Sequence, residues 1–148
     1  MKTTFDKTTR DELIARINTL TENSKAGWGK MTVYQMMTHC ARWEEMFLGE
    51  RTCKRVFIGR LIGRVALKGI MKDEKPMMRN AMTSPELIVT DSNGDLSSIR
   101  TKWTTLLEEH ARSSDPYFQH PFFGKMTKEQ IGYLKYKHID HHLRQFNS

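Results

Sequence analysis

Apolar residues recur along this chain at three- and four-residue steps, the spacing that stacks side chains on one face of an α-helix. Leu13, Ile17 and Leu20, with Ile14 beside them, predict a first helix over residues 9–22, opened by a capping box at Thr9-Arg10-Asp11-Glu12. Met36, Cys40, Trp43 and Phe47 form the stripe of a second helix, from Thr32 to Phe47, with Gly49 just beyond it. Leu96, Ile99, Trp103, Leu106, Leu107 and His110 mark a third, and a fourth runs from Thr127 to about Phe146. Residues 54–71, KRVFIGRLIGRVALKGIM, are also helical in pattern, with Val56, Phe57, Leu61, Val65 and Leu67 set among basic residues. Gly59 and Gly63 are expected to weaken that segment by roughly 1 kcal/mol each relative to alanine. Residues 72–94 read as loop, with Pro76, Pro85 and the turn Ser92-Asn93-Gly94, and SSDPYFQHPFFG reads as a second loop. Strand alternation is nearly absent, with Leu87-Ile88-Val89 as the one short candidate. The pattern therefore predicts a single all-α domain over residues 1–148. It is a four-helix bundle whose long connection between helices two and three contains an extra helical segment.

One phrase occurs twice, 95 positions apart. GKMTVYQM at 29–36 and GKMTKEQI at 124–131 each follow an aromatic, Trp28 and Phe123. A phosphate loop, GxxxxGK[ST], needs glycine at 24 and 119 and a hydroxyl residue straight after the lysine. The chain has Ser24, Gln119, Met31 and Met126 there, which excludes that reading. Each copy instead carries the parts of a helix start: Thr32 or Thr127 as N-cap, and Gln35 or Gln130 as capping-box partner. Met31 with Met36, and Met126 with Ile131, complete each start as a hydrophobic staple.

The totals narrow the class without naming a function. A chain of 148 residues can bury a core without disulfides or a metal staple, and 38% hydrophobic with 28% charged residues is an ordinary globular mix. No apolar run approaches the roughly 20 residues that span a bilayer. The opening MKTTFDKTTRDEL lacks the apolar centre of a secretory signal, so a cytoplasmic location is expected. Two cysteines without CxxC spacing indicate neither a disulfide framework nor a zinc ribbon, and Cys40 is expected as a small core residue. The net charge of +7 attracts nucleic acid, anionic lipid and small anions alike, and selects none of them.

Histidines carry the candidate chemistry. Three of the six lie in KHIDHHLRQF, where His138 and His142 are four apart and share a helix face about 5–6 Å apart at Cβ. That separation suits two imidazoles on one ion, at roughly 2.0–2.1 Å each for zinc, although ordinary surfaces carry such pairs too. His141 is turned about 100° away from His142 and is not expected on the same ion. His39 sits beside Cys40 in helix two, where an unpartnered imidazole is costly to bury. It is either a core histidine hydrogen-bonded to a neighbour or the third nitrogen of a three-histidine site with open positions for water or substrate. The two caps serve as a ruler: His39 is seven residues beyond Thr32, while His138 and His142 are eleven and fifteen beyond Thr127. Parallel helices with level starts would separate the two sets by roughly 6–12 Å, whereas antiparallel helices can bring all three to one point. Gln145, three residues past His142, can hydrogen-bond a group beside the site. Asp140 either accepts an imidazole N–H or sits on an exposed helix face. His120 either lines a pocket mouth or caps its loop, and Trp43 packs the core and walls the pocket.

WGKMTVYQMMTHC at 28–40 and HPFFGKMTKEQIGYLKYKHIDHHLRQF at 120–146 resemble the DinB-like superfamily of helical bundles, in a branch carried mainly as a domain of unknown function. The resemblance spans nearly the whole chain and is least distinct over residues 50–95. It implies that His39, His138 and His142 are metal ligands, that the helices run up-down-down-up, and that the protein is a homodimer, as many members are. It also implies a divalent ion, zinc or nickel. Members of understood activity include S-transferases and isomerases that use a low-molecular-weight thiol; many others have no known activity, and some have lost the ligands. The expected function is a metal-dependent transferase or hydrolase acting on a small-molecule substrate. Arg42, Arg144 and the 54–68 segment would draw an anionic one. The rival is a non-catalytic binding module in which Lys54, Arg55, Arg60, Arg64 and Lys68 face nucleic acid or an anionic membrane. Against it, the same residues can form a solvated face whose long side chains cover the bundle.

Overall fold

A computed structural model describes residues 1–113 and 117–148, so Ser114, Asp115 and Pro116 of the SSDPYFQHPFFG loop lie outside the described residues. The chain is mostly helical: α1 (Lys7–Asn18), α2 (Val33–Phe47), α3 (Phe57–Met71), α4 (Leu96–Arg112) and α5 (Lys128–Gln145). A small antiparallel hairpin, β1 (Tyr117–His120) and β2 (Gly124–Thr127), precedes α5, and a short 3-10 turn covers Pro85–Leu87. The predicted second, third and fourth helices are α2, α4 and α5, and α3 is the extra segment of the crossover.

Three expectations are corrected. The first helix starts at Lys7 rather than Thr9 and ends at Asn18. Its cap is Asp6, whose carboxylate accepts from the Thr9 amide and the Thr9 hydroxyl, both at 2.8 Å. An ionised carboxylate is favoured over a hydroxyl at the positive end of a helix, so the aspartate takes the cap. Glu12, freed from the capping box, pairs with Lys2. Leu87-Ile88-Val89 is not a strand, because Pro85 opens a 3-10 turn that Leu87 closes. The strands fall instead in the loop rich in aromatics and histidine, with Phe118 opposite Met126 and His120 opposite Gly124.

Both copies of the repeated phrase do the same local job. Gly29 and Gly124 have φ of 79° and 84°, a left-handed backbone that favours glycine. Three residues later, Thr32 and Thr127 cap α2 and α5 in complete capping boxes. Gln35 and Gln130 donate their amides at 3.1 and 3.3 Å and accept the cap amides at 3.0 Å.

The helices pack around Ile17, Met36, Trp103, Leu107 and Leu143, all essentially without exposure. Contacts between the α2 and α5 regions pair early with late: Gly27 with Gln145, His39 with His138, Glu44 with Lys135. Contacts between α2 and α4 run in one sense, with Gly94 against Tyr34, Lys102 on Glu45 and His110 against Phe47. Arg10 with Glu108 and Leu20 with Arg100 pair α1 and α4 in opposite senses. Thr4 with Gly132 and Arg16 with Asp140 pair α1 and α5 in the same sense.

The glycines of α3 are its packing face rather than mere weak points. A Cβ on Gly59 would lie 2.4 Å from the Phe122 carbonyl oxygen, and one on Gly63 would lie 2.1 Å from it. Only residues without a side chain let the helix backbone approach the hairpin turn this closely. Among the described residues, no helix is long and apolar enough to cross a membrane.

Candidate metal centre

His39 projects from the middle of α2 into the space facing α5, where His138 and His142 stand one turn apart. The Nε2 atoms of His39 and His138 are 3.2 Å apart, close to the roughly 3.3 Å edge that two nitrogens at 2.0–2.1 Å from one tetrahedral zinc would span. One nitrogen from each of the three rings lies within 4.8 Å of the others. All three side chains are buried. The structure thus brings together the three histidines for which the resemblance implied a ligand role.

Neighbouring acceptors decide which nitrogens face inward. His39 Nδ1 lies 3.1 Å from the Leu87 carbonyl oxygen, which can only accept, so the ring proton sits on Nδ1 and the Nε2 lone pair is free. His142 Nδ1 lies 2.9 Å from Oε1 of Gln145. The Gln145 amide nitrogen donates to the Trp28 carbonyl at 2.8 Å, which orients the amide with its oxygen toward His142. His142 therefore also donates from Nδ1 and presents Nε2. His138 is held differently, stacked on Trp43 with ring centroids 3.8 Å apart and planes 20° from parallel. Its buried Nδ1 has no protein partner among the described residues.

Burial is the first cause of every shift in the cluster. It lowers His39 below its ordinary value despite the Leu87 hydrogen bond, takes His142 down to about 3, and holds His138 well below its usual range. The neighbouring imidazoles push His138 and His142 the same way. All three rings are consequently neutral at neutral pH, the form in which imidazole binds a metal. A compact set of neutral nitrogen donors, two of them oriented by outer hydrogen bonds, is a set that can hold a metal ion.

The surrounding residues divide. Gln145 hydrogen-bonds His142 itself rather than a further group beside the site, and Trp43 walls the cluster. Of the two jobs considered for it, His120 does the capping. Its Nδ1 accepts from the Phe122 and Phe123 amides at 3.1 and 3.2 Å, which caps the hairpin turn, while its ring meets Trp43 and Phe47 at about 6 Å. Those two donors leave the neutral ring proton on Nε2, and burial lowers the pKa to about 3. Asp140 is corrected: it is buried, and it binds no imidazole and sits on no exposed face. Its carboxylate is taken by Arg16 at 2.8 Å, which ties α5 to α1, and by Arg144 at 2.7 Å, one turn along α5. His141 points away, edge-on to Trp28 at 5.7 Å. A groove lined by Trp28, Pro76, Met77, Arg79, His141 and Arg144 opens on that side. Arg42 is turned to the Ile88 carbonyl. The Leu87 and Trp28 carbonyls are partners that sequence reasoning missed, since a backbone oxygen leaves no mark on residue type.

Neither a search of curated proteins nor one of solved structures gives a match. A family model described as "Protein of unknown function (DUF1569)" matches residues 1–148. The chain therefore belongs to the DUF1569 family.

Proposed function

We propose that the protein is a metal-dependent transferase or hydrolase whose centre is His39, His138 and His142. The observation that carries this reading is the orientation of the cluster. Leu87 O and Gln145 Oε1 hold the Nδ1 protons of His39 and His142, which leaves each Nε2 its lone pair, and one nitrogen from each of the three rings lies within 4.8 Å of the others. Rings serving only to fill a core need no such arrangement. A divalent ion there, zinc or nickel, supplies Lewis acidity that makes a bound thiol or water nucleophilic at neutral pH.

The chain's own residues supply binding and exclusion. Arg79, stacked 4.1 Å over Trp28, gives the groove beside His141 a guanidinium group, which favours an anionic small-molecule substrate. A low-molecular-weight thiol bearing a carboxylate is the co-substrate class that fits such a groove. His120, locked with its proton on Nε2, offers a fixed donor to a polar group lodged beside Trp43. The packed rings of Trp43 and Phe47, 4.9 Å apart, keep water from that side. The fold that accompanies this reading is an up-down-down-up DinB-like bundle, supported by the senses in which α1, α2, α4 and α5 pair. A homodimer is the assembly expected with it.

The test is metal analysis of protein purified without a histidine tag, before and after zinc or nickel addition. About one ion per chain, abolished by His142→Ala, is expected. A wild-type chain that stays metal-free after both additions sinks the proposal.

A further inference from the structure

Helix α3 is built inside out for a helix in water. Its buried positions are Gly59, Gly63 and Leu67, while five of its large apolar residues, all in its first nine positions, face outward. Phe57 is 73% exposed, Leu61 67% and Val65 71%, with Ile58 and Ile62 about half exposed. At 100° per residue these five occupy an arc about 140° wide, centred opposite the glycine face. Exposed leucines scattered singly are ordinary, but five large apolar side chains on one short helix form a patch that calls for a partner.

Charge narrows the partner. Between Glu50 and Asp73 the sequence has no acidic residue and seven basic ones. Arg60 and Arg64 flank the apolar arc on one side, and Lys68 lies within it near the helix end; all three are exposed. Arg55 is not part of this set, because it donates to the His120 and Pro121 carbonyls and clamps the hairpin. An apolar strip edged by arginine and lysine, with no acidic residue, is the pattern of a helix that lies in the headgroup layer of an anionic membrane. Its long basic side chains reach outward to lipid phosphates while the strip enters the acyl boundary. A duplex nucleic acid would use the basic residues and leave the apolar strip in water. A second copy of this face would set basic flank near basic flank, and five apolar residues fall short of the roughly 20–30 residues a side of a stable interface.

We infer that α3 is a peripheral membrane-docking element, binding anionic lipid through Phe57, Leu61, Ile62 and Val65 and the flanking Arg60, Arg64 and Lys68. The glycine face serves this purpose, since it seats the helix flat on the hairpin turn at Phe122 and turns its apolar strip outward. The same turn is capped by His120, whose ring packs near Trp43 beside the histidine cluster. The inference is independent of whether that cluster holds a metal.

The test is co-sedimentation of the full chain with phosphatidylglycerol–phosphatidylcholine vesicles and with pure phosphatidylcholine vesicles, beside light-scattering mass in solution. Binding to the anionic vesicles is expected, at least about tenfold weaker to the neutral ones and falling as salt rises. Leu61→Asp with Val65→Asp should weaken it by about tenfold or more, and Arg60→Gln with Arg64→Gln by a similar factor. These positions are exposed, and circular dichroism of each variant checks that the fold persists. No binding to anionic vesicles at low salt overturns the inference, as does equal binding by the aspartate variant. A dimer that the aspartate variant dissociates, without vesicle binding, assigns the face to a second copy and also overturns it. Salt-sensitive DNA binding that depends on Arg60 and Arg64 but not on Leu61 would do the same.

Discussion

Lys135 and Glu44 meet in an ion pair whose side chains are 0% and 1% exposed, one helical turn from His138 on α5 and adjacent to Trp43 on α2. Burial pushes the Glu44 carboxyl up and the Lys135 ammonium down, and each charge opposes the other's shift. Two charges taken from water this completely gain little net stability from each other, but removing one strands its partner. Lys135→Met should therefore destabilise the fold by about 3–5 kcal/mol, while Glu44→Leu with Lys135→Met together should lie within about 1–2 kcal/mol of wild type. Urea unfolding of the two single variants and the double gives the cycle. Additive losses in the double would show that the pair is not coupled.

Gln145 is not one of the three clustered histidines, yet it sets the orientation of His142. Its oxygen faces the Nδ1 of His142, and its nitrogen is anchored on the Trp28 carbonyl. Gln145→Leu keeps the approximate volume and removes both bonds. If the cluster binds metal, affinity should fall about 10–100-fold, with little loss of helix content. Isothermal titration with zinc reads it directly, and an unchanged affinity would reduce Gln145 to a packing role.

Much of this was legible beforehand because it is periodic or local. The stripe Met36–Cys40–Trp43–Phe47 and the steps from Leu96 to His110 predict α2 and α4, and the two Thr–Gln pairs place the starts of α2 and α5. The ruler measured from those caps anticipated that His39 meets His138 and His142 only if contacts pair early with late, as they do. What escaped depends on partners distant in sequence. The hairpin is only four residues a side, too short for alternation to register, and His120 closes its turn through backbone amides. The orienting carbonyls of Leu87 and Trp28 have no sequence signature. The outward strip of α3 was hidden because its period is that of any amphipathic helix, and only the close approach of Phe122 shows which side is in.

That approach makes two glycines of one helix respond oppositely. A Cβ at Gly63 would sit 2.1 Å from the Phe122 carbonyl oxygen, a backbone atom that cannot rotate away, whereas nothing lies within 4 Å of one at Gly69. Gly63→Ala should cost about 2–3 kcal/mol by overpacking. Gly69→Ala should stabilise by up to about 1 kcal/mol through helix propensity. Thermal melts of the two variants compare them. A stabilised Gly63→Ala would mean that α3 does not seat on the hairpin turn.

Acid should destabilise the protein over a window set by its buried histidines. His110 sits between the rings of Phe5 and Phe47, at 5.4 and 5.8 Å, with a buried Nδ1 that has no partner among the described residues. Burial first, then the Lys135 and Lys128 charges, lower its pKa from 6.5 to about 3. His120 is lowered to about 3 chiefly by burial, with Arg55 adding to the effect. Between those values the unfolded chain binds protons that the folded chain refuses. Stability is therefore full above about pH 6.5 and declines as pH falls toward 3. At pH 5, about 1.5 units below the ordinary value, each ring should account for roughly 2 kcal/mol of lost stability. His110→Phe removes one of these contributions and leaves an aromatic among aromatics. Its loss between pH 7.5 and pH 5 should be smaller than wild type's by about that amount. Urea unfolding at the two pH values measures the difference, and an identical pH dependence would show that His110 does not drive the acid loss.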